Sequence, residues 1–281
     1  MEKRFICDEM IGKFEVKLNE EERCHSTVEK YLRELRQFQW WIGERPVTKE
    51  EVLHWKSELV ERGYQPSTVN GKLAALNRCF EVMGWLDCKV KALKIQRKLF
   101  RDERRELTRE EYERLLKEAE RQGKERLELL METICATGIR VSEVKYITME
   151  AIRQNRAEIH LKGKIRVILI PGKLCRKLSK YAKKHHIRSG EIFVTRQGRS
   201  LSRKQIWAEM KALCQKAGVE ASKVFPHNLR HLFARCFYKV SRDLSRLADV
   251  LGHSSVETTR IYLVSSGLEH ARTLEQLHLI L

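Results

Sequence analysis

Apolar residues recur at helical spacing along most of the chain. Val28, Tyr31, Leu32, Leu35, Phe38 and Ile42 fall on one face of a helix, the three-to-four-residue rhythm that buries a single stripe. Ser26 with Glu29 has the spacing of a capping box, in which hydroxyl and carboxylate satisfy each other's backbone donors, so the helix is predicted to open there. Thr48 with Glu51 predicts a second helix carrying Val52, Trp55 and Leu59, ended by Gly63. Ser67 or Thr68 predicts the start of a third, with Val69, Leu73, Leu76, Phe80 and Met83, ended near Gly84. Residues 1–90 thus read as a small all-helical domain.

A second patterned region begins at Thr108 with Glu111, another capping pair, and runs as helices to about residue 137, where Thr137-Gly138 breaks the rhythm. Ala157–Leu161 and Ile165–Ile170 are rich in β-branched residues and are joined by Lys162-Gly163-Lys164. They predict a hairpin with a basic tip, and Ile192-Phe193-Val194 predicts a third strand. The remainder reads as helix. The fold class is mainly α with a small antiparallel β-sheet, in two domains, 1–90 and 107–281. Residues 91–106 form a basic linker between them, in which 91–105 hold seven basic and two acidic residues.

Charge separates the two parts. Residues 1–106 carry 22 basic and 19 acidic side chains, whereas 107–281 carry 34 and 19, so most of the net +18 lies in the second region. An excess of that size points to a polyanion, with nucleic acid the usual partner. The eight cysteines form no C-x-x-C pair and no Cys/His cluster with zinc spacing; free thiols in a reducing cytoplasm are expected. The N-terminus is mixed in charge and reads as neither signal peptide nor membrane span.

Three stretches carry candidate chemistry. In Ala136-Thr137-Gly138-Ile139-Arg140-Val141-Ser142-Glu143, the glycine stops one helix and Arg140 and Glu143 share a face of the next; alone, this reads as a surface ion pair. In Pro226-His227-Asn228-Leu229-Arg230-His231, proline fixes a helix start. His227 and Arg230 then stand together where backbone N–H groups favour an anion, with Leu229, Phe233 and Phe237 on the core side. In Leu251-Gly252-His253-Ser254-Ser255-Val256-Glu257, Gly252 ends a helix that begins near Asp243, and Ser254 with Glu257 caps the next. His253 therefore sits in a tight joint, and Tyr262 lies about two turns into the second helix. Alone, Tyr262 reads as a half-buried core residue, and the paired helices as a DNA-reading helix-turn-helix.

In this order and spacing, the three stretches resemble the tyrosine recombinase, or phage-type integrase, family across the whole of residues 107–281. The resemblance implies a catalytic domain there, a helical core-binding domain before it, and a catalytic set of Arg140, Lys162, His227, Arg230, His253 and Tyr262. Lys164 is the alternative to Lys162, and Glu143 supports Arg140 or a histidine. It also implies a 3′-phosphotyrosyl intermediate, a homotetramer on paired inverted-repeat sites in double-stranded DNA, and cytoplasmic location. A segment after Tyr262, with Leu268, Ala271, Leu274 and Leu277 in one apolar stripe, is expected to dock on a neighbouring protomer. No metal, ATP, small-molecule substrate or membrane is expected: arginines can meet the charge of a reacting phosphate, and no Walker-type loop is present. The competing readings are a type IB topoisomerase-like enzyme and a DNA-binding regulator without catalysis; the intact catalytic set argues against the regulator.

Overall fold

The computed structural model describes residues 4–95, 105–161, 164–253, 255–262 and 275–277. The chain divides between Arg97 and Lys98 into two compact units.

The first unit is helical. α1 (Asp8–Glu20), α2 (His25–Ile42), α3 (Lys49–Glu61) and α4 (Pro66–Val82) pack around Phe14, Leu35, Phe38, Val52, Leu76 and Phe80, each fully buried. Thr48 caps α3 by accepting from the Glu51 N–H, as its spacing predicts. Two starts differ from expectation. Cys24, not Ser26, holds the cap position of α2, because its carbonyl already accepts the Thr27 and Val28 N–H groups. α4 starts at Pro66, one residue before Ser67, since a proline whose missing N–H needs no partner suits the first helical position. α1 is an addition: Met10, Ile11, Phe14 and Leu18 lie on one buried stripe, while its other positions are mostly charged.

The second unit is built on α5 (Arg109–Arg121) and α6 (Glu125–Thr137). A reciprocal Thr108–Glu111 box opens α5, and Gly138 in the left-handed conformation closes α6. A 3-10 turn (Val141–Tyr146) and α7 (Met149–Arg153) lead to β1 (Arg156–Leu161) and β2 (Lys164–Leu169). These strands pair antiparallel, with Ile159 opposite Arg166 and Leu161 opposite Lys164. Then come α8 (Gly172–Lys184), α9 (Arg203–Lys211), α10 (Cys214–Ala217), α11 (Pro226–Ser241), α12 (Leu244–Leu251) and α13 (Val256–Arg260). α6 packs against α5, α8, α9 and α11, and Gly138 at the end of α6 lies against Arg230 and Phe233 of α11. The architecture is mainly α with one small antiparallel sheet.

Ile192-Phe193-Val194 does not form a strand. Ile192 and Phe193 go directly into the core, and the segment makes isolated contacts, including Ile192 N–H to the Ile147 carbonyl at 3.1 Å, rather than a ladder. A second apolar cluster, apart from the main core, joins Ala234, Leu247, Leu251 and Tyr262, with Phe233 and Phe237 packed against it. The two phenylalanines expected on the core side of α11 therefore support the tyrosine. Among the described residues, no helix is long and apolar enough to cross a membrane. The described cysteines are all free thiols.

Candidate active site

Three chain breaks converge. Gly138 ends α6 with φ +65°, and its carbonyl turns to accept a hydrogen bond from Arg230 Nη1. Pro226 starts α11, and Asn228 pins that start by donating to the carbonyls of Arg105 and Lys223 at 2.8 and 2.7 Å. Gly252 ends α12 with φ +63°, sending the chain directly into His253. Asp243 caps the other end of α12 through the Arg246 N–H.

Arg230 is the centre. It is 1% exposed, and four partners surround its guanidinium: the Gly138 carbonyl, the Leu251 carbonyl at 2.9 Å, His253 Nε2 at 2.9 Å and the Tyr262 hydroxyl at 3.5 Å from Nε. Burial lowers its pKa from the ordinary arginine value, partly offset by Tyr262. An arginine only donates, so His253 Nε2 is the acceptor. Nδ1–H then donates to Thr259 Oγ1 at 2.8 Å, which fixes the tautomer. Burial, followed by the charges of Arg230, Arg140 and Arg166, pushes the His253 pKa down to about 4. His227 opens to solvent, yet desolvation by the surrounding protein and the same two arginines, 230 and 140, lower its pKa.

Arg140 precedes the 3-10 turn and donates to Glu143 through both its backbone N–H and Nη1, each at 2.8 Å. The expected Arg140–Glu143 pairing is present, on a 3-10 turn rather than an α-helix. Glu143 is 1% exposed and is shared with Arg166, whose Nη1 lies 3.1 and 3.3 Å from its two oxygens.

Tyr262 is 3% exposed. It lies not within a helix but two residues past the end of α13, in a turn held by its N–H to the Thr259 carbonyl at 3.0 Å. Ser255, accepting from the Glu257 N–H, caps α13 in place of the predicted Ser254–Glu257 pair; Ser254 lies outside the described residues. The ring stacks on His253 (centroids 5.7 Å, interplanar 10°) and meets His231 edge-on at 4.5 Å, with His227 at 6.3 Å.

Arg140, Glu143, His227, Arg230, His253 and Tyr262 are therefore brought together. Lys162 lies outside the described residues, and Lys164 opens β2 opposite Leu161. The apolar stripe after Tyr262 also lies outside them, except Leu277, which is exposed. Sequence reasoning missed Arg166, His231 and Thr259. His231 stands next to Arg230 in the motif already singled out, and Thr259 is one turn before Tyr262; both signals were available from helical spacing. Among the described residues, no three His, Cys, Asp or Glu side chains gather as metal ligands.

A buried tyrosine held by an arginine, with three neighbouring imidazoles and further guanidiniums in reach, is an arrangement able to carry out covalent chemistry on an anion. The comparisons agree. Residues 105–267 match the phage integrase family, and residues 11–84 match the phage integrase N-terminal SAM-like domain; the chain belongs to the phage integrase family, whose members are tyrosine recombinases. It is 31% identical over 276 residues to tyrosine recombinase XerA of Thermococcus kodakarensis, covering 96% of this chain and 95% of the relative. Its fold is similar to that of a chain in the crystal structure of a lambda integrase tetramer bound to a Holliday junction (TM-score 0.74, 18% identity, 90% and 76% of the two chains). It is also similar to that of XerH site-specific recombinase in a post-cleavage complex with palindromic difH substrate (0.71, 19%, 89% and 80%).

Proposed function

We propose that this chain is a site-specific DNA recombinase that cleaves and rejoins strands through Tyr262. The carrying observation is the Tyr262 hydroxyl beside Nε of the buried Arg230 guanidinium, with His253 Nε2 accepting from Nη2 of the same guanidinium. The tyrosine oxygen attacks a DNA phosphorus, the bond to the 5′ oxygen breaks, and a 3′-phosphotyrosyl enzyme and a free 5′-hydroxyl result. The new bond conserves the energy needed for rejoining. Arg140 and Arg230 meet the charge that builds on the phosphate oxygens; Arg230 does so by turning donors from its present acceptors, His253 and Tyr262 among them, to the phosphate. His253 or His227 takes the tyrosine proton, and neutral imidazoles, as the lowered pKa values favour, are the form able to accept it. Lys162 on the hairpin, with Lys164 as the alternative, gives the 5′ oxygen its proton. Glu143 orients Arg140.

Residues 1–90 serve as the core-binding domain and 91–106 as a basic linker along the duplex, with 107–281 catalytic. Four copies act on paired inverted-repeat sites in the cytoplasm, and the segment after Tyr262 docks in trans. Resolution, inversion or the movement of a small element fits this two-domain plan.

The test is trapping on nicked duplexes, in which the cleaved end diffuses away, using fragments of the DNA around the gene to find the site. Wild type should give a covalent band that survives denaturation, and Tyr262→Phe none. A band of equal strength in the variant removes Tyr262 from its role. Relaxation of plasmids lacking the site would favour the topoisomerase-like reading instead.

A further inference from the structure

Arg166 is a charged residue on the inner face of a two-stranded hairpin. It stands opposite Ile159 and two positions before Ile168, both buried, and its own side chain is 11% exposed. An aliphatic residue would fill that place at no electrostatic cost, whereas a buried guanidinium loses its hydration and is tolerated only where its partners are well placed. The partners come from two separate elements. Nη1 bonds Glu143, the carboxylate that also holds Arg140, and Nη2 donates to the Val250 carbonyl in the last turn of α12 at 2.9 Å. Burial is strong enough to draw its pKa down to about 10, against the pull of Glu143.

The surroundings are shaped for it. Gly252 stands against the arginine shaft: a Cβ there would lie 2.2 Å from Arg166 Cδ. The glycine thus makes the left-handed turn and leaves the space that Arg166 occupies. Three parts of the site then meet on one side chain: the Arg140–Glu143 turn, the joint that presents His253, and strand β2. A two-stranded hairpin has little stability of its own, so its angle against the unit is set by inward side chains of this kind. Arg166 is two residues beyond Lys164 and four beyond Lys162.

We propose that Arg166 is a positioning residue that locks the hairpin to Glu143 and to the carboxyl end of α12, and so sets the hairpin lysine against the phosphate. The inference rests on the reading of Tyr262 as nucleophile and of a hairpin lysine as proton donor. Arginine is required because its separate nitrogens bridge two acceptors on different elements; lysine offers one.

The experiment uses the full chain as wild type, Arg166→Gln, Arg166→Lys, Lys162→Ala and Lys164→Ala, in single-turnover cleavage of the trapped site. Two substrates are compared, the natural phosphodiester and the same duplex with sulfur at the bridging 5′ position. A thiolate leaves without a proton, since a thiol ionises near pH ~8.5, so loss of a positioned acid is repaired on the sulfur substrate only. Arg166→Gln should slow the oxygen substrate by at least about tenfold, within the scale of a general acid's contribution. On the sulfur substrate it should return to within about threefold of wild type, as Lys162→Ala or Lys164→Ala does; Arg166→Lys should fall between. Arg166→Lys keeps the charge and the Glu143 pairing, so it reports even if the glutamine variant unfolds in a thermal scan. Equal slowing on both substrates, or no slowing on either, overturns the assignment. If the wild-type adduct survives Tyr262→Phe, the nucleophile reading fails and this inference with it. If the adduct needs Tyr262 and the sulfur substrate restores the lysine variants but not Arg166→Gln, Arg166 alone loses its role; if it restores none of them, the lysine reading fails and this inference with it.

Discussion

Gly138→Ala separates the two reasons for a glycine at the end of α6. The first is backbone: φ is +65°, and the left-handed region costs a non-glycine residue about 1–2 kcal/mol. The second is space: a Cβ would lie 2.4 and 2.6 Å from two ring carbons of Phe233 and 3.1 Å from Leu251. Forcing an extra carbon into a packed cluster costs a further 1–3 kcal/mol, roughly. Gly218 supplies the control. It ends α10 with φ +61° and has nothing within 4 Å of its Cβ position, so Gly218→Ala carries the backbone cost alone. In thermal unfolding both variants should fall below wild type, with Gly138→Ala lower by the packing difference of about 1–3 kcal/mol. For a unit of this size that is ~2–12 °C in midpoint. The Gly138 carbonyl also holds Arg230, and Phe233 packs beside Tyr262, so the same variant should lose adduct formation while Gly218→Ala keeps it. Equal midpoints in the two variants would refute the packing argument and show that Phe233 yields freely.

Two further outcomes follow from buried charge. The His253 pKa is about 4 in the folded chain against about 6.5 unfolded, so between these values the unfolded chain binds a proton that the native one does not. Stability should therefore be flat above pH ~6.5 and fall as pH drops toward ~4, by at most about 3 kcal/mol from this group. His227 acts in the same direction. Urea unfolding at pH 7 and pH 5 should show a smaller drop for His253→Gln than for wild type; an unchanged drop removes His253 as its source. In the first unit, Lys72 and Glu34 form a buried pair at 2.6 Å, with side chains 7% and 9% exposed. Lys72→Met leaves the carboxylate with Arg33 and should cost about 3 kcal/mol, whereas Lys72→Met with Glu34→Leu should return close to wild type, because an apolar pair avoids the desolvation of both charges. A double variant as unstable as the single would contradict this.

Much of the site was legible because chain breaks have local causes. Gly138, Pro226, Asp243 and Gly252 each act where their own backbone chemistry requires, and those breaks place Arg140, Arg230 and His253. Where neighbouring residues competed for one helix start, local reasoning was less exact. Ser26 and Ser67 are both good caps, yet the starts fell to Cys24 and Gln65, the latter through Pro66. Ile192-Phe193-Val194 has strand composition, but full burial of two side chains does not require a ladder. Arg166 was concealed by strand parity. Between Ile165 and Val167, an arginine reads as the outward residue, but the strand runs the other way. Ile165, Val167 and Leu169 are 70%, 50% and 76% exposed, and Arg166 and Ile168 turn inward. Partners distant in sequence, the buried carboxylate of Glu143 and the Val250 carbonyl, account for that choice. Tyr262 was expected inside a helix, but α13 ends at Arg260 and hydrogen bonds and ring contacts hold the tyrosine instead.

The charge balance of the site links its stability to its chemistry. Among the described residues at its centre, Arg140, Arg166 and Arg230 face one buried carboxylate, Glu143, and Arg230 has only neutral acceptors. Desolvation weakens the hold of Arg166 and Arg230 on their protons, but even at about 10 Arg166 stays charged at neutral pH. These uncompensated cations suit an anionic phosphate, and after burial, the larger cause, they also lower the pKa of His253 and His227, which favours the neutral imidazoles. In the proposed reaction the second effect matters as much as the first, because an imidazolium cannot accept the tyrosine proton. Thr259 takes the Nδ1–H of His253, so the lone pair lies on Nε2, and Nε2 shares the Arg230 guanidinium with the Tyr262 hydroxyl. When Arg230 turns its donors to a phosphate, the base and the nucleophile are released by the same exchange.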